Sequence, residues 1–315
     1  MRKVVFTLFA ALSACFIWTG CGPELNFDEG DDTGALYYTS EIAVQARVLS
    51  FYDSTAEFLN TQLEVENFIC NSTWNRIGPS SREIRELWNE GNNIVQTTSL
   101  FIYELRDLND SDIDYYKGQY ITHLRVLRDF VMYNMNHLWG GIPLPREDDN
   151  PERLIPRSRE DEVYLYIEED LRDAQIEMAS HPTGRWDAGK ECVSERVIYM
   201  LQAECHLARK EWQPAKNLAE LAANGDDGEF FILGKIPVYS KAKAQLYIKE
   251  ANGETADLAA SWDETFLHAY GYWATLKRLG IAQQRVMCQE YQLLLPIPYE
   301  VIYLNPEITQ NPGYE

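Results

Sequence analysis

An all-α fold is predicted for this 315-residue chain: a body of tetratricopeptide-like helix pairs with long loops and an extended C-terminal segment. Three observations carry the prediction. Apolar residues recur with the 3.6-residue period of a helix through most of residues 41–224. The stretch Val193–Asn224 reads as two helices joined by a tight turn. No run of alternating strand-like segments interrupts the pattern.

The chain opens on Arg2-Lys3 and an apolar run from Val4 to Trp18, the charged start and hydrophobic middle of a secretory signal. The run is too short and too soon interrupted to read as a membrane-spanning helix. Two cysteines could end it. Leu12-Ser13-Ala14-Cys15 has the small residues of a bacterial lipoprotein cleavage site, but the apolar run before Cys15 is short. The run before Cys21 is long enough, Thr19-Gly20 are small, and an acidic stretch follows, so Cys21 is the preferred lipidation site. The expected organisation is a lipoprotein signal at 1–20, an acidic tether at 21–40 and one helical domain at 41–315.

The first helix starts at Glu41, with Ile42, Ala46, Leu49, Tyr52, Ala56, Leu59 and Leu63 expected on its inner face. A loop at Asn71–Ser81 leads to a second helix over Arg82–Asp107, weakened around Gly91-Asn92-Asn93. The strongest stripe follows: Tyr116, Tyr120, Leu124, Leu127, Val131, Met135 and Leu138. It stops at Gly140-Gly141, and four prolines between Pro143 and Pro156 force an extended excursion. Helix returns at Glu160 with Val163, Ile167, Leu171, Ala174 and Met178 facing inward.

The central hairpin has a Ser194 cap, a first helix to about Lys210 and a second from Trp212-Gln213-Pro214 to Asn224-Gly225. Pro214 suits a first turn and Gly225 a helix end. Ala203, Ala215, Ala219 and Ala222 let the two helices approach closely, as in a tetratricopeptide-type unit. Glu204 falls in the apolar face between Val197, Leu201, Cys205 and Ala208, where a carboxylate needs a partner that the sequence does not name. Beyond Gly225 the signal weakens; Trp262–Leu279 reads as helix and the end as extended and proline-punctuated.

Composition narrows function. With 49 acidic against 28 basic residues the net charge is -21, which argues against a nucleic-acid binder and against docking on anionic lipid through charge. Cysteine spacing suggests neither zinc nor a direct Cys192–Cys205 bridge, because thirteen residues of helix span about 20 Å. Asp107, Asn109 and Ser111 fail the calcium-loop pattern, with Asp112 at its sixth position and Gly118 at its twelfth. Glu168-Glu169-Asp170 is expected on a solvated face, and His123, His137, His181, His206 and His268 lack ligand spacing. No nucleophile elbow or phosphate loop is present. The expectation is therefore no catalytic residue, no metal and no cofactor.

Several landmarks together resemble the SusD/RagB family of Bacteroidetes surface lipoproteins. The stretch Leu124–Pro145, with its aromatic, two glycines and Pro-Leu-Pro turn, is similar to that family's long helix and exit. Pro156-Arg157-Ser158 through Leu171-Arg172-Asp173-Ala174 resembles its next helix. The most specific match is C-terminal: Leu295-Pro296-Ile297-Pro298, Leu304-Asn305-Pro306 and Gln310-Asn311-Pro312-Gly313-Tyr314. Gly271–Gly280 resembles the motif before the family's last segment, with Tyr272 where Arg is usual and Thr275 where Asp is usual. Family members are usually longer, and the shortage falls between Gly225 and Trp262.

The resemblance implies an outward-facing, lipid-anchored protein of the outer membrane. It would capture glycans or other nutrients and deliver them to a TonB-dependent transporter of the SusC type. A helical scaffold that binds only proteins is one alternative, and a glycoside hydrolase another. Sugars offer flat C–H faces that stack on aromatic rings while polar neighbours bond the hydroxyls. Trp74-Asn75-Arg76 and Arg185-Trp186-Asp187 have that composition, as does Trp262 beside Asp263. The plainer reading of each is an aromatic that anchors its loop.

Overall fold

The computed structural model describes residues 41–71, 74–108, 111–145, 154–180, 191–225, 228–254 and 257–314. The leader with Cys15 and Cys21, the acidic tether, and Arg185, Trp186 and Asp187 lie outside them. Helices dominate the described residues. The chain runs through α1 (Glu41–Cys70), α2 (Arg82–Asp107), α3 (Ser111–Trp139), α4 (Glu160–Ser180), α5 (Glu195–Ala208) and α6 (Trp212–Ala223). A hairpin of β1 (Glu229–Leu233) and β2 (Ile236–Ser240) follows. The rest is α7 (Lys241–Ala251), α8 (Leu258–Phe266), α9 (Tyr272–Arg278), α10 (Ala282–Val286) and α11 (Tyr299–Leu304). The fold is all-α apart from that one hairpin.

Neighbours in sequence pack on one another from α2 through α7, and α1 lies against both α2 and α3. α3 is the centre: from Val126 to Trp139 every residue is buried. A polar side chain on a helix buried all round is costly unless it is paired. Tyr52 on α1 meets His123 at 2.5 Å, and Gln62 donates to Asn134 at 3.0 Å. The weak spot at Gly91 marks close packing, since a Cβ there would run into Met135 of α3.

Three expectations are corrected. In α1 the inner face begins with Val44, Val48 and Phe51, whereas Ile42, Ala46 and Leu49 are exposed; of the expected stripe Tyr52, Ala56 and Leu59 are buried and Leu63 is half-buried. Phe230-Phe231-Ile232-Leu233 and Ile236, Val238 and Tyr239 are apolar or β-forming residues around the two-residue turn Gly234-Lys235, and the strands pair with Leu233 opposite Ile236. In the acidic run only Glu169 is a solvated residue; Asp170 is buried and Glu168 half-buried.

The central hairpin forms where expected. α5 starts after Ser194, and Ala203, Ala215, Ala219 and Ala222 are all buried in the seam. Glu204 is 1% exposed. Its Oε2 accepts from Tyr239 at 2.7 Å and Tyr270 at 3.0 Å, and its Oε1 from Tyr247 at 2.5 Å. The three hydroxyls come from the hairpin, α7 and the loop before α9, so one carboxylate ties the C-terminal third to the helical body.

The motifs that carried the resemblance converge on one clasp. Leu295 donates its N–H to the Leu138 carbonyl at 2.8 Å, and the Trp139 indole donates to Pro296 at 3.0 Å. Asn311 donates to the Trp139 and Leu295 carbonyls at 3.0 and 2.7 Å. Arg157 spreads its fork over the carbonyls of Trp139 at 2.6 Å, Gly141 at 2.9 Å and Thr309 at 3.0 Å, and over Asn311 at 3.1 Å. Gly141 has φ +115°, and a Cβ would run into the Ser158 carbonyl. These residues build the exit of α3 and dock the C-terminal segment there. No described helix is long and apolar enough to cross a membrane.

Candidate functional site

Trp74 opens a short 3-10 turn, Trp74–Arg76, in the loop between α1 and α2. Its ring is half-buried, tilted against Trp273 with centroids 6.4 Å apart. The indole N–H donates to the Val286 carbonyl at 3.3 Å, so the ring is fixed at its edge and has no donor left for a ligand. Met287, the next residue, is 78% exposed with φ 51°. Arg76 is exposed and lies 5.1 Å over the Phe68 ring. Ser81 fastens the loop, accepting from Gly78 at 2.8 Å and donating to the Arg76 carbonyl at 2.6 Å. A partly exposed indole on a braced loop can offer a stacking face, and Arg76 on the same loop a charged donor. The Asn75 side chain lies outside the described residues.

Trp262 is a correction. It sits inside α8 with no exposed area, stacked on Tyr247 at 6.2 Å and packed against Phe266 at 5.3 Å. A ring wholly surrounded by core atoms has no face for a ligand. Asp263 beside it accepts from Tyr272 at 2.7 Å and pairs with Arg285. The departures in the Gly271–Gly280 motif are likewise packed: Tyr272 and Thr275 are buried, and Thr275 accepts from Arg278 at 2.9 Å.

Two ionic clusters were not foreseen. His206 of α5 lies 2.7 Å from Glu168 of α4 through Nε2 and 2.5 Å from Glu211 through Nδ1. Arg209 reaches Glu168 at 2.6 Å and Glu211 at 2.5 Å. Burial opposes charge on His206, but the two carboxylates outweigh it and raise the pKa. Three donor atoms of Glu168, His206 and Glu211 lie within reach of one another. Arg209 already supplies a cation between those carboxylates, so the cluster reads as an ion-pair network. The second cluster surrounds Arg128 and Asp129 on α3, both wholly buried. Its sequence signal was Leu124-Arg125-Val126-Leu127-Arg128-Asp129-Phe130, a charged triplet inside the helix with the strongest apolar stripe. The four described cysteines are unbridged, three of them buried.

With the fold in hand, the comparisons are specific at one level. No family model matches the chain, and no curated protein is similar to it in sequence. Solved structures are similar in fold. A SusD superfamily protein from Bacteroides vulgatus aligns with TM-score 0.72 and 12% identity over 88% of this chain and 100% of that one. B. fragilis NanU aligns with TM-score 0.70 and 11% identity over 90% of this chain and 100% of its own. A laminarin-binding SusD-like protein aligns with TM-score 0.68 and 14% identity over 88% and 100%. The chain has the SusD-like fold.

Proposed function

We propose that this chain is a surface binding lipoprotein that captures glycans or other nutrients and hands them to a TonB-dependent transporter of the SusC type. The observation that carries the reading is the SusD-like fold over nearly all of the described body, in company with a neighbour described as laminarin-binding. The reading is one of binding rather than catalysis. Trp74, Asn75 and Arg76 form the preferred contact surface, with Arg185, Trp186 and Asp187 as a second loop. Trp74 supports this by its half-exposed ring on a braced loop, since connecting loops vary while packed helices hold their positions.

Residues 1–20 are the lipoprotein signal in this proposal, Cys21 carries the lipid and 21–40 spans the distance to the membrane. Cys21→Ala is expected to leave the precursor unprocessed or release the protein from the membrane fraction. Normal processing of Cys21→Ala, with Cys15→Ala blocked instead, overturns the site. Binding itself is tested by titrating laminarin and a panel of other polysaccharides into the purified chain. Release of new reducing ends points to a hydrolase, and capture of proteins without any glycan points to a scaffold.

A further inference from the structure

The Trp74 loop is joined to α8, α9 and α10 in a closed circuit of contacts. The Trp74 indole donates to the Val286 carbonyl at 3.3 Å. Arg285, the residue before Val286 on α10, pairs with Asp263 of α8. Asp263 also accepts from the Tyr272 hydroxyl at 2.7 Å. Trp273, the next residue along α9, meets the Trp74 ring with centroids 6.4 Å apart, which closes the circuit. Burial first, and then the Cys70 thiol at the end of α1, raise the Tyr272 pKa. The Tyr272 hydroxyl and its Asp263 partner therefore lie toward the end of α1, from which the Trp74 loop departs.

Tyr272, Trp273 and Val286 are buried and hold this geometry from within. The other three members reach the surface: Trp74 is half-buried, and the side chains of Arg285 and Asp263 are 46% and 25% exposed. An indole face, a guanidinium and a carboxylate are thus presented on one braced frame. The guanidinium carries donors and no acceptor, and the carboxylate carries acceptors and no donor. A sugar hydroxyl both donates and accepts, so the hydroxyls of one sugar satisfy the two together. The indole supplies the apolar face on which that sugar stacks. An anion approaching Arg285 meets the Asp263 carboxylate, a like charge that already holds the guanidinium.

We infer that Arg285 and Asp263 are the polar half of the Trp74 site, and that the pair selects neutral glycans over glycans rich in uronic acid. Arg285 donates to the sugar hydroxyls. Asp263 accepts from them and holds the guanidinium in place, and Tyr272 positions Asp263 from behind. The inference rests on the reading of Trp74 as the ring on which a glycan stacks.

The test is calorimetry on the full mature chain with laminarin and galactan as neutral polysaccharides and polygalacturonate as the anionic counterpart. At least one neutral polysaccharide is expected to bind about tenfold or more tighter than polygalacturonate. Arg285→Gln is expected to weaken that binding about tenfold or more at unchanged melting temperature. Asp263→Asn frees the guanidinium and is expected to narrow the gap between neutral and anionic polysaccharide, which loss of a merely structural contact would not do. An Arg285→Gln chain that binds like the parent, where Trp74→Ala binds weakly, overturns this inference and leaves Trp74 in place. Polygalacturonate matching the neutral polysaccharides overturns it too, as does an unchanged gap in Asp263→Asn. If no polysaccharide binds, or Trp74→Ala binds like the parent, the reading of Trp74 fails and this inference fails with it. The comparison among polysaccharides is made on the parent chain, so a folding defect in either variant leaves the test intact.

Discussion

Glu204 sits among Tyr239, Tyr247 and Tyr270 with almost no exposed area, and each hydroxyl donates to it. A buried carboxylate costs several kcal/mol in lost hydration, and charge-assisted bonds from three donors offset that cost. Lys243, 1% exposed, stands nearby and donates to the Val238 and Tyr270 carbonyls at 2.6 and 2.8 Å. Burial pushes the Lys243 ammonium down to about 7 against the pull of Glu204. Replacing Glu204 by Ala strands three hydroxyls and opens a cavity. Glu204→Ala is expected to lose about 3–5 kcal/mol of stability, read as a shift in the urea midpoint. A loss under about 1 kcal/mol contradicts the role given to the cage. The sequence showed that Glu204 needed a partner, but its donors lie 35, 43 and 66 residues away, beyond the reach of local patterning.

At the scale of elements, helices were legible because their periodicity is local. α3, α4, α5 and α6 form within a few residues of the sequence reading. What periodicity does not report is the direction of the partner. Ile42 and Leu49 lie on an apolar stripe of α1, yet the stripe that is buried runs through Val44, Val48 and Phe51, the last stacked on Phe101 of α2. The β-hairpin was missed although Leu233-Gly234-Lys235-Ile236 is a turn between β-formers, because each strand has only five residues. Trp262 was read at the start of a helix, but the weak pattern after Gly225 did not show that its ring faces the core. The resemblance motifs proved to be architecture: Trp139, Gly141, Arg157, Leu295 and Asn311 form one clasp. Arg157 is half-buried and donates to four carbonyls and one amide oxygen through a planar fork. Arg157→Lys keeps the charge and loses the fork. It is expected to cost about 2–3 kcal/mol and to loosen the C-terminal segment to proteolysis. Parent-like stability and protease resistance of Arg157→Lys contradict the clasp.

The whole molecule couples its stability to pH through histidines that pull in opposite directions. His123 is buried against Tyr52, and burial lowers its pKa from 6.5 to about 4. Below about pH 6.5 the unfolded chain binds a proton there that the folded chain refuses until about pH 4. Stability from this residue is therefore intact above pH 6.5 and falls across that window, by about 3 kcal/mol at most. His206 is raised, so its contribution is full below its unfolded value and lost as pH rises through the folded one. Urea unfolding at pH 7 and pH 5 is expected to show less acid loss in His123→Gln than in the parent chain. Equal losses in the two contradict the assignment.

The candidate site is the least legible level, since a surface tryptophan and a loop anchor have the same local sequence. Only the fold showed Trp74 half-exposed and Trp262 enclosed. The central claim is that this SusD-like body binds glycan at the Trp74 loop without cleaving it. Isothermal titration calorimetry of laminarin and the wider polysaccharide panel, run on the parent chain and Trp74→Ala, tests it most directly. The account predicts saturable binding of at least one glycan, no new reducing ends, and a loss of about fivefold or more in Trp74→Ala at unchanged melting temperature. Failure to bind any glycan, hydrolysis of the ligand, or identical affinity in Trp74→Ala contradicts it.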